Sequence, residues 1–233
     1  MSAYGPDCDL VTLDRRAGCC GEIVLRQRGE RLEIIANGCF LMDTSDGRSE
    51  RALVDAAQAV LSAHTAGCGA TPPSVLIGGL GVGFSLAHAA ADSRWGRVVV
   101  VEREQAIIDW HQHGPLARIS AAALADPRVV LLHADLLEHL RTTTERYHAL
   151  CLDIDNGPGW TVTESNQNLY SRDGLAACRA RLHPGGVLAV WSASPSPAFA
   201  EALRGAGFVA VRTEEIPVAR GVPDVIHIAL RGE

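Results

Sequence analysis

Val75-Leu76-Ile77-Gly78-Gly79-Leu80-Gly81-Val82-Gly83 is the stretch on which the fold turns. Its first three residues are apolar and two are β-branched, which reads as a buried strand. The glycines at 78, 79, 81 and 83 let the chain turn tightly and bring bare backbone close to a ligand, where a Cβ would collide. Helical spacing resumes at Ser85–Ala91. Strand, glycine-rich turn and helix form the opening unit of an open α/β sheet, which binds ligands at the carboxyl ends of its strands.

Downstream, the same alternation repeats. Apolar runs at Val98–Val101, Val129–Leu132, Ala149–Leu152 and Val187–Trp191 alternate with helix-like segments at Gln105–Gln112, Leu136–Arg141 and Gly174–Arg181. Continuous apolar strands separated by helices predict a parallel sheet covered on both faces. Two late strands, Val209–Arg212 and Val225–Leu230, complete a sheet of about seven strands and are typical of its methyltransferase-type variant. Upstream the pattern differs. Glu22–Arg28 and Arg31–Ala36 flank Arg28-Gly29-Glu30, and Asn37-Gly38 precedes Cys39–Met42, which predicts a small antiparallel element of two or three strands. Leu53, Ala56, Ala57, Val60 and Leu61 then recur at helical spacing. Thr65–Ser74 reads as a connector. The expected division is residues 1–48 as a β-hairpin element with its lead-in and 49–233 as a Rossmann-like ligand-binding domain.

Composition narrows the function. The 233 residues are 47% hydrophobic and 21% charged, with a formal net charge of -6 and no basic run, which excludes the phosphate-neutralising stripe of a nucleic-acid binder. No apolar stretch is long enough to span a membrane, and Met1–Asp9 lacks the features of a signal peptide, so a cytoplasmic location is expected. The cysteines at 8, 19, 20, 39, 68, 151 and 178 form no C-x-x-C pair and are read as reduced, buried small hydrophobes. His111, His113 and His133 match no closed metal site, and 111 and 113 do not share a helix face, so no metal is expected.

Two acids sharpen the ligand. Glu102 ends the second strand of the sheet, about twenty residues past the glycine loop, where a carboxylate accepts hydrogen bonds from ribose hydroxyls. Asp135 ends the third, within reach of an adenine amino group. With Gly78, Gly79, Gly81 and Gly83 they suit an adenosine joined to a sulfonium: S-adenosylmethionine or its decarboxylated form. A dinucleotide ranks second, because the loop is not a clean G-x-G-x-x-G and no second mononucleotide half follows.

With these residues in place, the chain resembles the spermidine synthase (aminopropyltransferase) family and its small bacterial relatives. The resemblance runs through Asn37–Asp43, Val75–Gly83, Glu102, Leu152–Pro158, Asn168–Ser171 and Leu182–Gly186. It implies a Rossmann-like methyltransferase fold, a small-molecule amine as acceptor, methylthioadenosine as product and a homodimer. Two departures stand out: Gly47–Leu53 carries neither the family's Asp-Glu pair nor a nearby Tyr, and Asn156 replaces an expected acid.

Asp153, at the end of the fourth strand where the sulfur is expected, is the candidate general base and a cofactor contact. Asp155 and Asn156 are placed to orient an amine. Trp160 and Tyr170 are read as flanking the mouth, where an aromatic face attracts a sulfonium by roughly 0.5–2 kcal/mol. Trp191 and Ser192 are expected to close the far side. Several outcomes stay open: aminopropyl transfer, methyl transfer, intramolecular closure of S-adenosylmethionine to azetidine-2-carboxylate with no partner beyond the cofactor, and a nucleoside-binding module without chemistry.

Overall fold

The structure, a computed structural model, describes residues 10–65, 71–161, 163–218 and 221–233. The lead-in Met1–Asp9, the first part of the expected connector, and Cys8 and Cys68 lie outside those residues.

The strands β5 (Ser74–Gly78), β6 (Arg97–Glu102), β7 (Val129–His133), β8 (Tyr147–Leu152), β9 (Leu182–Ser192), β10 (Phe208–Ile216) and β11 (Asp224–Arg231) form one sheet. Their order is β10-β11-β9-β8-β5-β6-β7. From β9 to β7 all pairings are parallel, and β11 runs antiparallel to both β9 and β10. The strand residues divide with period two, as a sheet buried on both faces requires. Val75, Ile77, Val98, Val100, Ala149 and Cys151 face one core, whereas Leu76, Val99, Val101, Leu150 and Leu152 face the other. Helices α1 (Arg48–Thr65), α2 (Phe84–Ala91), α3 (Gln105–Gln112) and α4 (Ala117–Leu124) contribute to the first core, and α5 (Leu136–Thr142), α6 (Arg172–Ala180) and α7 (Pro197–Gly205) to the second. This is the Rossmann-like sheet expected from the sequence.

A second sheet of four antiparallel strands precedes it: β1 (Leu10–Gly18), β2 (Gly21–Arg28), β3 (Arg31–Ala36) and β4 (Cys39–Asp43). The β3–β4 turn uses Asn37 at φ 51° and Gly38 at φ 78°, the positive pair that matches a hairpin's twist. Ile23, Leu25, Leu32 and Ile34 bury their side chains in the same core as α1. Polar ties extend from β1: Asp14 accepts from the Trp110 indole N–H at 2.8 Å and Arg16 donates to Asp109 at 2.5 Å.

Three expectations need correction. The small sheet has four strands, because β1 leaves Leu10, Val11 and Leu13 exposed and continues through Asp14-Arg15-Arg16, so it lacks the alternation of a half-buried strand. Helices α4 and α7, and a 3-10 turn at Glu164–Tyr170, were not expected; α7 begins at Pro197 and is capped by Ser196, whose hydroxyl accepts from the Phe199 N–H. Of the cysteines, Cys151 and Cys178 are buried as read, but Cys19 and Cys20, in the β1–β2 turn, and Cys39, which begins β4, lie exposed. Among the described residues no helix is long and apolar enough to cross a membrane, and no group of three His, Cys, Asp or Glu is disposed to hold a metal ion.

Candidate active site

A cavity of about 600 Å³ lies between the small sheet and the carboxyl ends of β5, β6, β7 and β8. Ile23, Ala36, Leu41 and Met42 wall it from the small sheet, and Gly79, Gly81, Glu102, Asp135, Asp153 and Asp155 from the large one.

The glycine loop does more inside the protein than the sequence reading assigned it. At Gly79, φ is +90° and an added Cβ would stand 2.5 Å from the Asp153 carbonyl oxygen; at Gly81, φ is +50° and the Cβ would meet the Met42 sulfur. Gly78 and Gly83 do not line the cavity. A Cβ on Gly78 would strike Leu136 and Leu152, and one on Gly83 the buried His111 ring, which bonds the Gly81 carbonyl and the Ser120 hydroxyl.

Glu102 is almost fully buried, with one oxygen accepting from the Leu80 N–H at 2.9 Å and the other from the Glu104 N–H at 2.8 Å. It pins the glycine loop, and each oxygen keeps a lone pair for another donor. Burial pushes its carboxyl above the usual range, and the two backbone donors oppose that shift. Asp135 lines the cavity while capping α5, accepting from the Glu138 N–H at 2.9 Å.

Asp153 sits in an acidic cluster that the sequence reading did not assemble. Glu50, in the first turn of α1, and Asp224, the first residue of β11, line the same cavity. The Ser85 hydroxyl lies 3.4 Å from an Asp153 oxygen, and the Ser49 hydroxyl donates to Asp224 at 2.7 Å. Burial is the main cause that raises the Asp153 carboxyl to about 6, with the Asp224 charge adding to it. Burial, then the charges of Asp153 and Asp224, raise Glu50 to about 8. Three carboxylates sharing a desolvated pocket are an unfavourable arrangement without cations.

The remaining candidates separate. Asp155 lines the cavity at φ 53° and accepts from the Asn166 amide at 2.6 Å, which supports the turn carrying it. The Asn156 side chain is outside the cavity lining and its amide nitrogen is buried without a protein partner. Trp160 is 62% exposed and does not reach the cavity wall. Trp191 lines the cavity, whereas Ser192 is fully buried and bonds the Ser194 carbonyl. Tyr170 is buried, packs edge-on against Phe199 and donates from its hydroxyl to the Ile154 carbonyl at 3.2 Å. It braces the Asp153–Asp155 turn from beneath. Tyr170→Phe is therefore expected to cost about 1 kcal/mol of stability and to lower turnover only a few-fold. Thermal denaturation beside steady-state rates checks this; a hundredfold loss of turnover at unchanged stability would return Tyr170 to the chemistry.

Arg103, also missed, ties the loop over the cavity down. Its guanidinium donates to Thr163 at 3.1 Å, Ser165 at 3.3 Å and Asn166 at 3.0 Å.

No family model matches the chain. Polyamine aminopropyltransferase 2 of Pseudomonas aeruginosa is 30% identical over 131 residues, 51% of this chain and 33% of the relative. The polyamine aminopropyltransferase of Oceanobacillus iheyensis is 28% identical over 126 residues, 54% and 24% of the two chains. Among solved structures, a spermidine synthase in complex with the transition state analogue AdoDATO superposes with a TM-score of 0.76 at 17% identity, covering 95% of this chain and 74% of that one. The chain is thus similar in sequence to polyamine aminopropyltransferases over about half of its length and shares the Rossmann-like fold of the spermidine synthases. Spermidine synthase from Thermotoga maritima matches with a TM-score of 0.72 at 15% identity, over 95% of this chain and 73% of that chain. At such identities the structural likeness is one of fold. The matched region spans about a third of the Pseudomonas relative and a quarter of the Oceanobacillus one.

Proposed function

We propose that the chain transfers an aminopropyl group from decarboxylated S-adenosylmethionine to a small amine, leaving methylthioadenosine. The observation that carries this reading is the cluster of Glu50, Asp153 and Asp224 in one cavity with Glu102 and Asp135. The pairing suits two ligands at once. Glu102 and Asp135 have acceptor capacity for ribose hydroxyls and an adenine amino group, and a cavity of about 600 Å³ falls in the range of small-molecule sites. The acidic cluster suits an ammonium-bearing acceptor, whose charge would offset the mutual repulsion of the carboxylates. The names of the curated relatives support the same choice.

When bound, the donor supplies an electrophilic carbon on sulfur. The protein's part is to hold the amine and to take its proton. Asp153 is the base: a carboxyl raised to about 6 is ionised at neutral pH yet more basic than an exposed one. Glu50 and Asp224 hold the ammonium end of the acceptor, and the Arg103-tethered loop limits water above the site.

Closure of S-adenosylmethionine on itself needs no acceptor pocket, and the lack of an acidic pair in residues 47–53 speaks for it. Glu50 and Asp224 supply carboxylates from different elements, so that motive weakens. The test is mass spectrometry of the purified protein incubated with each donor, with and without putrescine or spermidine. Methylthioadenosine formed from the decarboxylated donor only when an amine is present is the expected result. Methylthioadenosine from S-adenosylmethionine alone would replace the proposal with cyclisation, S-adenosylhomocysteine with methyl transfer, and tight binding without turnover with a binding module.

A further inference from the structure

A second cavity, of about 290 Å³, opens at the other end of the parallel strands. Four arginines line it. Arg146 immediately precedes β8, Arg179 lies in the last turn of α6, Arg181 links α6 to β9, and Arg231 ends the antiparallel β11. The six residues of β8 separate this cavity from the Asp153 end by roughly 20 Å.

Part of the cluster has a structural use. Arg231 donates to the carbonyls of Arg179, at 3.3 Å, and Leu182, and Arg181 donates to the Thr143 carbonyl. Cations at the end of α6 also suit the helix dipole. These bonds occupy only some of the five N–H donors on each guanidinium. The Nε atoms of Arg179 and Arg181 are buried without a partner, which is costly for a donor shut off from water. Among the described residues none of the four arginines forms an ion pair. Burial, then the Arg146 and Arg179 charges, hold Arg231 below the ordinary arginine range. In a chain of net charge -6, four guanidiniums without a carboxylate partner surround one small cavity, Ala176 and Ala206 leave room between them, and their mutual repulsion favours a bound anion.

We propose that this cavity is an anion site that takes a phosphate-bearing small molecule. Guanidinium forks match phosphate oxygens in pairs, and four of them suit a diphosphate better than a single phosphate or a carboxylate. The carbonyl bonds of Arg181 and Arg231 hold two forks in place beforehand, so fewer rotamers are lost on binding. The site shares no residue with the acidic cavity and stands independently of the reaction proposed there.

Calorimetric titration of the full chain with pyrophosphate at constant ionic strength, with inorganic phosphate in parallel, tests the assignment. One saturable site is expected, tighter for pyrophosphate, together with about tenfold weaker binding in Arg146→Gln and in Arg179→Gln, the loss of one charge-assisted contact each. Arg146 is exposed and braces nothing, so its variant is expected to melt with the wild type; if Arg179→Gln melts lower, Arg146→Gln alone decides. No saturable binding to the wild type would overturn the proposal. So would equal affinity in Arg146→Gln, since the anion would then lie elsewhere.

Discussion

Asp153→Asn is expected to lower turnover by about a thousandfold, within the range for a lost general base, while the affinity for the nucleoside changes only a few-fold. The substitution keeps the shape and the contact with Ser85 but removes the atom that accepts the proton. It also removes a titration. In the wild type, kcat/KM is expected to rise with pH through about 6 as Asp153 ionises, and this limb should vanish in the variant. Measuring rate against pH for both, with binding followed by calorimetry, checks the two halves separately. Unchanged turnover would take Asp153 out of the proton transfer and leave it as a ligand-positioning group.

Glu50→Gln separates binding from stability. With Glu50 as one of the groups that hold the ammonium, its loss is expected to raise KM for the amine by about tenfold to a hundredfold with kcat changed little, a contact worth roughly 1.4–2.8 kcal/mol. Without ligand the effect reverses. The folded-state value of Glu50 is raised from 4.5 to about 8, so the folded protein holds a proton there that the unfolded chain releases first. The contribution of protonated Glu50 to stability is whole below about 4.5 and is lost as pH rises through about 8. Gln does not titrate. At pH 9 the variant should therefore be more stable by about 2 kcal/mol, or roughly 4–8 °C for a domain of this size. A lower melting temperature at pH 9, with KM unmoved, would count against the acidic cluster as an acceptor site.

The fold was legible because its signals are local and repeated. Val75–Gly83, Val98–Val101 and Ala149–Leu152 each carry a buried-strand run that nothing in the tertiary structure overrides. Glu102, Asp135 and Asp153 were found as cavity residues by one rule, that an acid ending a parallel strand lies at the ligand edge. The same rule is blind to Asp224. It begins its strand, and only because β11 runs antiparallel does that beginning lie at the ligand edge. Glu50 was hidden for another reason. Between Arg48 and Arg51 in a helix's first turn, it reads as an ordinary favourable charge near the helix N-terminus, and its surroundings are set by α1 packing on β8, β9 and β11, all distant in the chain. Tyr170 and Trp160 show the opposite failure. Aromatic identity suggested a cation-facing role, but packing sent one beneath the turn and the other out to solvent.

The antiparallel course of β11 also dictates when the site comes into being. Glu50, Glu102, Asp135 and Asp153 are synthesised in order, each on an element that pairs with neighbours already made or soon to follow. Asp224 arrives last, on a strand that must insert between β9 and β10, the latter already emerged, before it can reach the acids of the first half. A chain that lacks β11 thus carries Glu102 and Asp135 but not the full charge of the Glu50, Asp153 and Asp224 cluster. The pairing of β11 with β9 brings Asp224 to acids far earlier in the chain, so the mutual repulsion of the carboxylates depends on this one long-range closure.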